Sequence, residues 1–429
     1  MKRTLLLGIL IYGLILVGMA DFNNALLALA MLLIAYLAAG LIFSPDSLQL
    51  ETRREISPER VSPGSLVQIK LIITNKGSHL EELFLEDKLP PQLEVVDGVT
   101  SLLTEFGENE SVEISYQVRG SRGIYYYDGV QATANDRFDL FRRSDLIPAQ
   151  GSIFIMPQVP KIRRVAIRPR QTRVYSGSVP ARLGGPGVEF FGVREFRSGD
   201  SLQRINWRAS ARHAEALFSN EFVQERVTDV GLILDARMRS DIRTPGGSLF
   251  EHQITATAAL TDTLINDGNR VGLLVYGNFL DWTYPRYGKV QRERIFQALA
   301  RAQTGDSLVF EKLENLPTQM FPNNSQVILF SPLLDEDVPI LINLRARGYQ
   351  VMVISPNPID FQRRSMPISR ENELGARLAN IERNLLFNKL RQAGIIVLDW
   401  DVSVPFGQAM QSALSRLWMW SHPFLGRLR

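Results

Sequence analysis

The sequence contains no cysteine. That excludes disulfide cross-links, thiolate catalysis and zinc held by thiolates, and it leaves the compartment open. Histidine is scarce: His79, His213, His252 and His422 are the full complement, and no two stand at a metal-ligand spacing. No G-x-x-x-x-G-K-[ST] phosphate loop, G-x-S-x-G nucleophile elbow or H-E-x-x-H pair occurs, and Gly184, Gly185 and Gly187 do not form a dinucleotide fingerprint. An excess of one charge is also missing. Lys and Arg number 48 against 45 Asp and Glu, and this net charge of +3 says almost nothing about partners. Within Gly184–Arg226, where charge is densest, arginines and acids balance, so that stretch offers no uncompensated basic face for a nucleic acid. These absences give the expectation of a non-enzymatic protein with no cofactor.

What is present begins with hydrophobic length. Thr4–Ala20 and Ala25–Phe43 carry no charged side chain, and only Asp21, Phe22, Asn23 and Asn24 separate them. At about 1.5 Å per residue each covers most of a hydrocarbon core about 30 Å thick. The polar turn belongs at an interface, so the expectation is a transmembrane helical hairpin. Lys2 and Arg3 precede the first span, the turn has no base, and Arg53 and Arg54 follow the second. The positive-inside rule then places both ends in the cytoplasm. A cleavable signal peptide ending at Gly18-Met19-Ala20 is the competing reading.

With 429 residues, two or three domains are expected. From about Leu48 to Pro157 the pattern alternates as in strands: Val67, Ile69, Leu71 and Ile73 share one face, as do Val112, Ile114, Tyr116 and Val118. Asn75-Lys76-Gly77, Pro90-Pro91, Asp97-Gly98 and Asp128-Gly129 supply turns, and the spacing predicts an antiparallel sandwich of immunoglobulin-like type. Lys161 to Arg182 read as an extended basic connector. It is either solvated or drawn to anionic headgroups.

The densest chemistry lies between Gly184 and Arg226. Arg194, Arg197, Arg204, Arg208, Arg212 and Arg226 are set against Glu189, Glu195, Asp200, Glu215, Glu221 and Glu225, a balance that points to ion pairs or a protein-docking surface. Asp200 followed by Gln203 predicts a helix starting near Ser201. Arg204, Arg208 and Arg212 would then share one face and pair with Glu189, Glu195 and Glu215 or face a partner. Ile205 and Trp207 would anchor the segment.

Arg194, Glu195, Phe196, Gly199, Asp200, Arg204, Ile205, Trp207, Ser210, Ala211 and Arg212 resemble the signature of the domain of unknown function 58 family. The resemblance implies a von Willebrand factor A-like domain and association with MoxR-type AAA+ ATPases. It implies no established activity.

After the signature, strand-like runs at Val230–Leu234, Val271–Tyr276, Val327–Phe330, Val351–Ser355 and Ile395–Leu398 alternate with helical stretches near Phe250–Asn266, Gln291–Ala302, Val338–Arg347 and Glu373–Gln392. That alternation predicts an open parallel sheet with helices on both faces. In A-type domains the first strand ends in Asp-x-Ser-x-Ser, whose oxygens hold a divalent cation. Here the stretch is Asp235-Ala236-Arg237-Met238-Arg239. Arginine at both serine positions removes two oxygen ligands and adds two positive charges, so the site reads as degenerate, with Asp235 paired to Arg237 or Arg239. Asp335-Glu336-Asp337 reads as a helix N-terminus. Leu414, Leu417 and Trp418, at helical spacing, read as core.

The whole chain is therefore expected to be multidomain. Residues 1–45 form a transmembrane hairpin, 46–158 an all-β immunoglobulin-like sandwich, 159–228 a connector with the signature, and 229–429 a doubly wound α/β von Willebrand factor A-like domain. The functional expectation is a membrane-anchored adaptor that presents unknown protein clients to a MoxR-type AAA+ ATPase. The rival readings are a cell-envelope scaffold and a cryptic metal-dependent hydrolase around Asp235 and Asp335.

Overall fold

A computed structural model describes residues 2–42, 48–135, 140–162, 173–212, 216–227, 229–277, 280–305, 307, 312–317, 320–322 and 325–412. The chain divides into two compact units, Met1–Met156 and Pro157–Arg429. Leu414, Leu417 and Trp418, His213 and Glu215, and the side chains of Glu189, Glu225 and Arg226, lie outside the described part.

The first unit opens with helices α1 (Lys2–Ala20) and α2 (Asn24–Ile42). They approach closely at Gly18, where an added Cβ would come within 3.1 Å of the Leu27 side chain. Asn24–Ile42 is long and apolar enough to cross a membrane, and the apolar part of α1, Thr4–Ala20, is shorter.

Strands β1 (Leu50–Ser57), β2 (Arg60–Val61), β3 (Val67–Asn75), β4 (Leu80–Asp87), β5 (Leu93–Gly98), β6 (Ser101–Phe106), β7 (Ser111–Gly120), β8 (Gly123–Asn135) and β9 (Arg142–Ile155) follow. They form two sheets of order β1-β3-β7-β5 and β2-β9-β8-β4-β6. Alternation along β3 buries Val67, Ile69, Leu71 and Ile73, which join Ile114, Tyr116 and Val118 of β7 and Leu83, Val130 and Ile153 of the other sheet in a single core. That core holds an ion pair the alternation pattern does not reveal. Arg54 donates to both Asp87 oxygens at 2.6 and 2.7 Å, and neither side chain is exposed. Tyr116 donates to the same carboxylate at 2.6 Å, and the guanidinium lies 4.2 Å from the centre of the Tyr127 ring.

The second unit begins with a two-stranded antiparallel ribbon of β10 (Arg173–Glu195) and β11 (Phe218–Val227), joined through the one-turn helix α3 (Trp207–Ser210). The expected connector is thus strand from Arg173 onward. Beyond it come β12 (Asp229–Ala236), the short pair β13 (Arg243–Thr244) and β14 (Gly247–Ser248), α4 (Leu249–Asn266), β15 (Arg270–Gly277), β16 (Leu280–Arg286), α5 (Lys289–Arg301), β17 (Gln326–Phe330), α6 (Asp337–Ala346), β18 (Gln350–Pro356), α7 (Pro358–Arg363), α8 (Arg370–Gln392) and β19 (Ile396–Trp400).

The sheet order is β16-β15-β12-β17-β18-β19. Every neighbouring pair is parallel except β15–β16, which is antiparallel. The five strands expected from the sequence, β12, β15, β17, β18 and β19, are thus parallel. The antiparallel edge strand β16 is an addition to them, which turns Trp282 and Tyr284 outward and lacks the continuous apolar run that marks buried parallel strands. β12 is buried along its whole length. Ile233, Val327, Leu329, Val351 and Val353 pack with Leu341 of α6 and with Phe387 and Leu390 of α8.

Candidate functional site

In an open α/β sheet, ligands bind beyond the carboxyl ends of the strands where the chain order reverses. Here that place lies at the end of β12, between β15 and β17. Asp235 sits there, fully buried. Arg237 curls back onto it, with Nε donating to Oδ1 and Nη2 to Oδ2, both at 2.8 Å, and its backbone N–H donating to Oδ1 at 3.2 Å. The hydroxyls of Ser240 and Ser331 each donate to Oδ2 at 2.6 Å.

The other edge of the guanidinium meets Asp337, the first residue of α6, with Nη1 and Nη2 at 3.0 and 2.9 Å from its two oxygens. The Leu334 N–H donates to Asp337 as well, at 3.0 Å. The loop that delivers it passes through Leu333 at φ +62°, a conformation unfavourable for a branched side chain.

Burial alone would lower the Arg237 pKa, but the two carboxylates outweigh it and hold the group above its ordinary value. Burial raises the Asp337 carboxyl against the pull of Arg237. Burial also pushes the neighbouring Tyr276 phenol up to about 12, and that hydroxyl donates to the Lys312 carbonyl.

Two carboxylates and two serine hydroxyls are a donor set for a hard cation. The space between the carboxylates, however, is filled by a guanidinium that satisfies both. The residues present do not fit a resident dication. Among the described residues no group of three or more His, Asp or Glu side chains is arranged to hold a metal.

Of the two arginines considered for Asp235, Arg237 is the partner, while Arg239 pairs with Glu336. Asp337 does open a helix, and it also closes the charge cluster. Asp335 takes no part; it lies 3.9 Å from Lys389, with both side chains exposed. A second buried arginine, Arg383 of α8, ties the neighbouring strand ends together. It donates to the carbonyls of Pro332, Ser355 and Pro356 and to Asp399. Burial lowers its pKa despite Asp399.

The signature segment divides into a clasp and a presented face. Arg194 forms a two-pronged pair with Asp200 at 2.7 and 2.8 Å and lies 3.6 Å from Glu221. The Arg197 N–H also donates to Asp200. The hydrogen bond from Arg194, aided by that N–H, holds the Asp200 carboxyl below its ordinary range.

These contacts correct the helix expected from Ser201. Asp200 is engaged backwards, so it caps nothing. Leu202–Arg204 form a single tight turn, Ile205 bridges to Ser219, and Asn206 starts α3 by accepting from the Ala209 N–H at 2.9 Å. Arg204, Arg208 and Arg212 therefore occupy a tight turn, a one-turn helix and a position two residues beyond it. They do not form a ladder on one helix face. Glu195 contributes its carbonyl to Arg194, not its carboxylate. Ile205 is buried as expected, but Trp207 is 68% exposed and anchors nothing. Arg208 and Arg212 are exposed and make no ion pair among the described residues.

Ser240, Ser331 and Arg383 are the site residues that sequence reasoning missed, and Asp337 was read only as part of a helix N-terminus. The one usable signal was unbalanced charge at two strand ends, Arg237 after β12 and Asp337 after β17.

An α/β unit whose switch point is closed by an internal salt-bridged cluster, with a charged ribbon before its first strand, is the class these features define. Residues 192–372 match the family described as "Protein of unknown function DUF58". The chain is 24% identical over 246 residues to "Uncharacterized protein YeaD" of Bacillus subtilis (strain 168), covering 56% of this chain and 59% of that protein. The match thus spans under two thirds of that relative.

Among solved structures, proximal thread matrix protein 1 from the mussel byssus aligns over 44% of this chain and 45% of its own, at 13% identity and a TM-score of 0.26. A FixG-related protein from Vibrio parahaemolyticus aligns over 25% of this chain and 95% of its own, at 10% identity and a TM-score of 0.18. Neither likeness carries an argument.

Proposed function

We propose that this chain is a non-enzymatic, membrane-anchored adaptor that presents client proteins to a MoxR-type AAA+ ATPase at the cytoplasmic face of the membrane. In this reading the β-rich unit is an immunoglobulin-like spacer and the second unit is a von Willebrand factor A-like domain without its cation. The observation that carries the reading is the presented face of the signature: Trp207, Arg208 and Arg212 stand exposed on a segment fastened by Arg194–Asp200, Asn206 and Ile205. Tryptophan and arginine are the side chains most enriched at protein-binding hot spots, and a fastened loop loses little freedom on docking.

The closed cluster at Asp235 supports the same reading. A guanidinium leaves no open coordination position for chemistry or for a partner's carboxylate, so recognition falls to side chains such as these. In this reading both apolar helices cross the bilayer, and Lys2, Arg3 and Arg53 flanking a turn that has no base favour cytoplasmic placement of both units. Arg54 adds to that charge only during insertion, since in the folded unit it is paired with Asp87.

The test is a detergent pull-down of the full chain from native membranes, comparing the parent with an Arg208→Glu/Arg212→Glu variant of unchanged melting temperature. Loss of a co-purifying AAA+ ATPase supports the reading. Retention of the ATPase by the folded variant would sink it.

A further inference from the structure

Helix α8 has two apolar faces. One holds Leu386, Phe387 and Leu390 against the sheet. On the opposite side Leu374, Leu378, Ile381 and Leu385 are 55, 61, 58 and 57% exposed. Their spacing of four, three and four residues is that of a coiled-coil seam, and a surface helix of an isolated domain has no need of it. A contiguous aliphatic seam left to solvent marks an interaction surface more than a chance exposure.

The geometry points to a second copy of this chain as the occupant, with two α8 helices pairing in parallel along this seam. In that register Leu378 and Leu385 take the a positions and Leu374 and Ile381 the d positions. The flanks then decide the partner. Arg377 falls at g and Glu382 at the following e, which in a parallel pair places Arg377 of each copy beside Glu382 of the other, on both sides of the seam. The reverse orientation sets Arg377 near Asn384 and Glu382 near Gly375, with no complementary charge. Within one chain Arg377 pairs with Glu373 at 2.8 Å, with both side chains well exposed, and such a surface pair is readily exchanged. Asn388 takes the d position after Ile381 and ends the apolar run.

The absence of cysteine makes the test direct. Single variants Leu378→Cys and Leu385→Cys of the full chain, in native membranes under mild oxidation, are expected to form disulfide-linked dimers of the chain with itself. Tyr287→Cys, exposed elsewhere, serves as the background control. Arg377→Glu in the Leu378→Cys chain is expected to reduce the dimer severalfold, and adding Glu382→Arg is expected to restore it. Recovery by the double reversal separates pairing from misfolding.

Cross-linking no stronger than the Tyr287→Cys control would overturn the inference. Adducts that contain a different protein would do the same, as would a Leu374→Cys/Leu385→Cys pair that links only head to tail. Equal dimer yields for Arg377→Glu and its parent would remove the charge argument and with it the parallel register.

Discussion

Arg237 grips Asp235 from two residues along the chain, with Nε and Nη2 each 2.8 Å from a different carboxylate oxygen. A cation is thereby built into the switch point of the sheet. It is held by the residue just past the strand that supplies the acid, and Asp337, at the start of α6 after the neighbouring strand β17, closes the far side.

Removing that cation should leave two buried carboxylates facing each other. Arg237→Ser is expected to lose about 3–5 kcal/mol of stability, the usual cost of orphaning a buried charge. The loss would be read from the urea midpoint. The same variant gains a hydroxyl beside two acids and two serines, so millimolar magnesium or manganese should raise its melting temperature and leave the parent unmoved. A variant as stable as the parent would show that the guanidinium does not hold the cluster.

The two acids should not be equivalent. Asp235 accepts from Arg237, Ser240 and Ser331, whereas Asp337 accepts from Arg237 and one N–H and has its pKa raised by burial. Asp235→Asn should therefore cost more than Asp337→Asn, by at least about 1 kcal/mol at roughly one hydrogen bond to a charge per lost contact. Urea titration of both variants at neutral pH checks the order.

Inside the sandwich, Arg54 and Asp87 form a second buried pair. Arg54→Ala should destabilise the first unit by about 3–5 kcal/mol because it strands Asp87 beside Tyr116. Arg54→Met combined with Asp87→Leu should recover part of that loss, measured as the melting of the same unit. A double variant worse than Arg54→Ala would contradict the assignment of the cost to an orphaned charge.

His252 supplies a pH dependence. Burial, opposed by Glu251 and reinforced by Arg364, lowers its pKa beneath the ordinary 6.5, and its ring meets Phe361 and Trp400 edge-on. A depressed base favours the fold above the pKa of the unfolded chain. Its contribution is lost as pH falls through 6.5 towards the folded value. Melting between pH 7.5 and 5.5 should therefore decline more steeply in the parent than in His252→Leu. Parallel declines would remove His252 as the source.

Elements with continuous apolar runs or clear periodicity were legible: β12, β15, β17 and β18, the alternation of β3 and β7, and the amphipathic α4, α5 and α8. The edge strand β16 was not, because an antiparallel edge needs neither a buried run nor strict alternation. That Asp235 pairs with a nearby arginine was legible in Arg237 and Arg239, but sequence could not choose between them. The choice depends on Asp337, a hundred residues away, and on a left-handed Leu333 that no pattern announces. The signature misled where local chemistry had two solutions. Asp200 could cap forwards or clasp Arg194 backwards, and the ribbon of β10 and β11 selects the second by bringing Arg194 within reach.

The measurement closest to the central claim is the pull-down of the full chain from native membranes, scored for an AAA+ ATPase with and without Arg208→Glu/Arg212→Glu. The account expects the ATPase to accompany the parent through moderate salt and to be absent from the folded variant. Equal recovery with both would contradict the claim that this face is the docking surface. Envelope proteins recovered with the parent and no ATPase would contradict the adaptor itself.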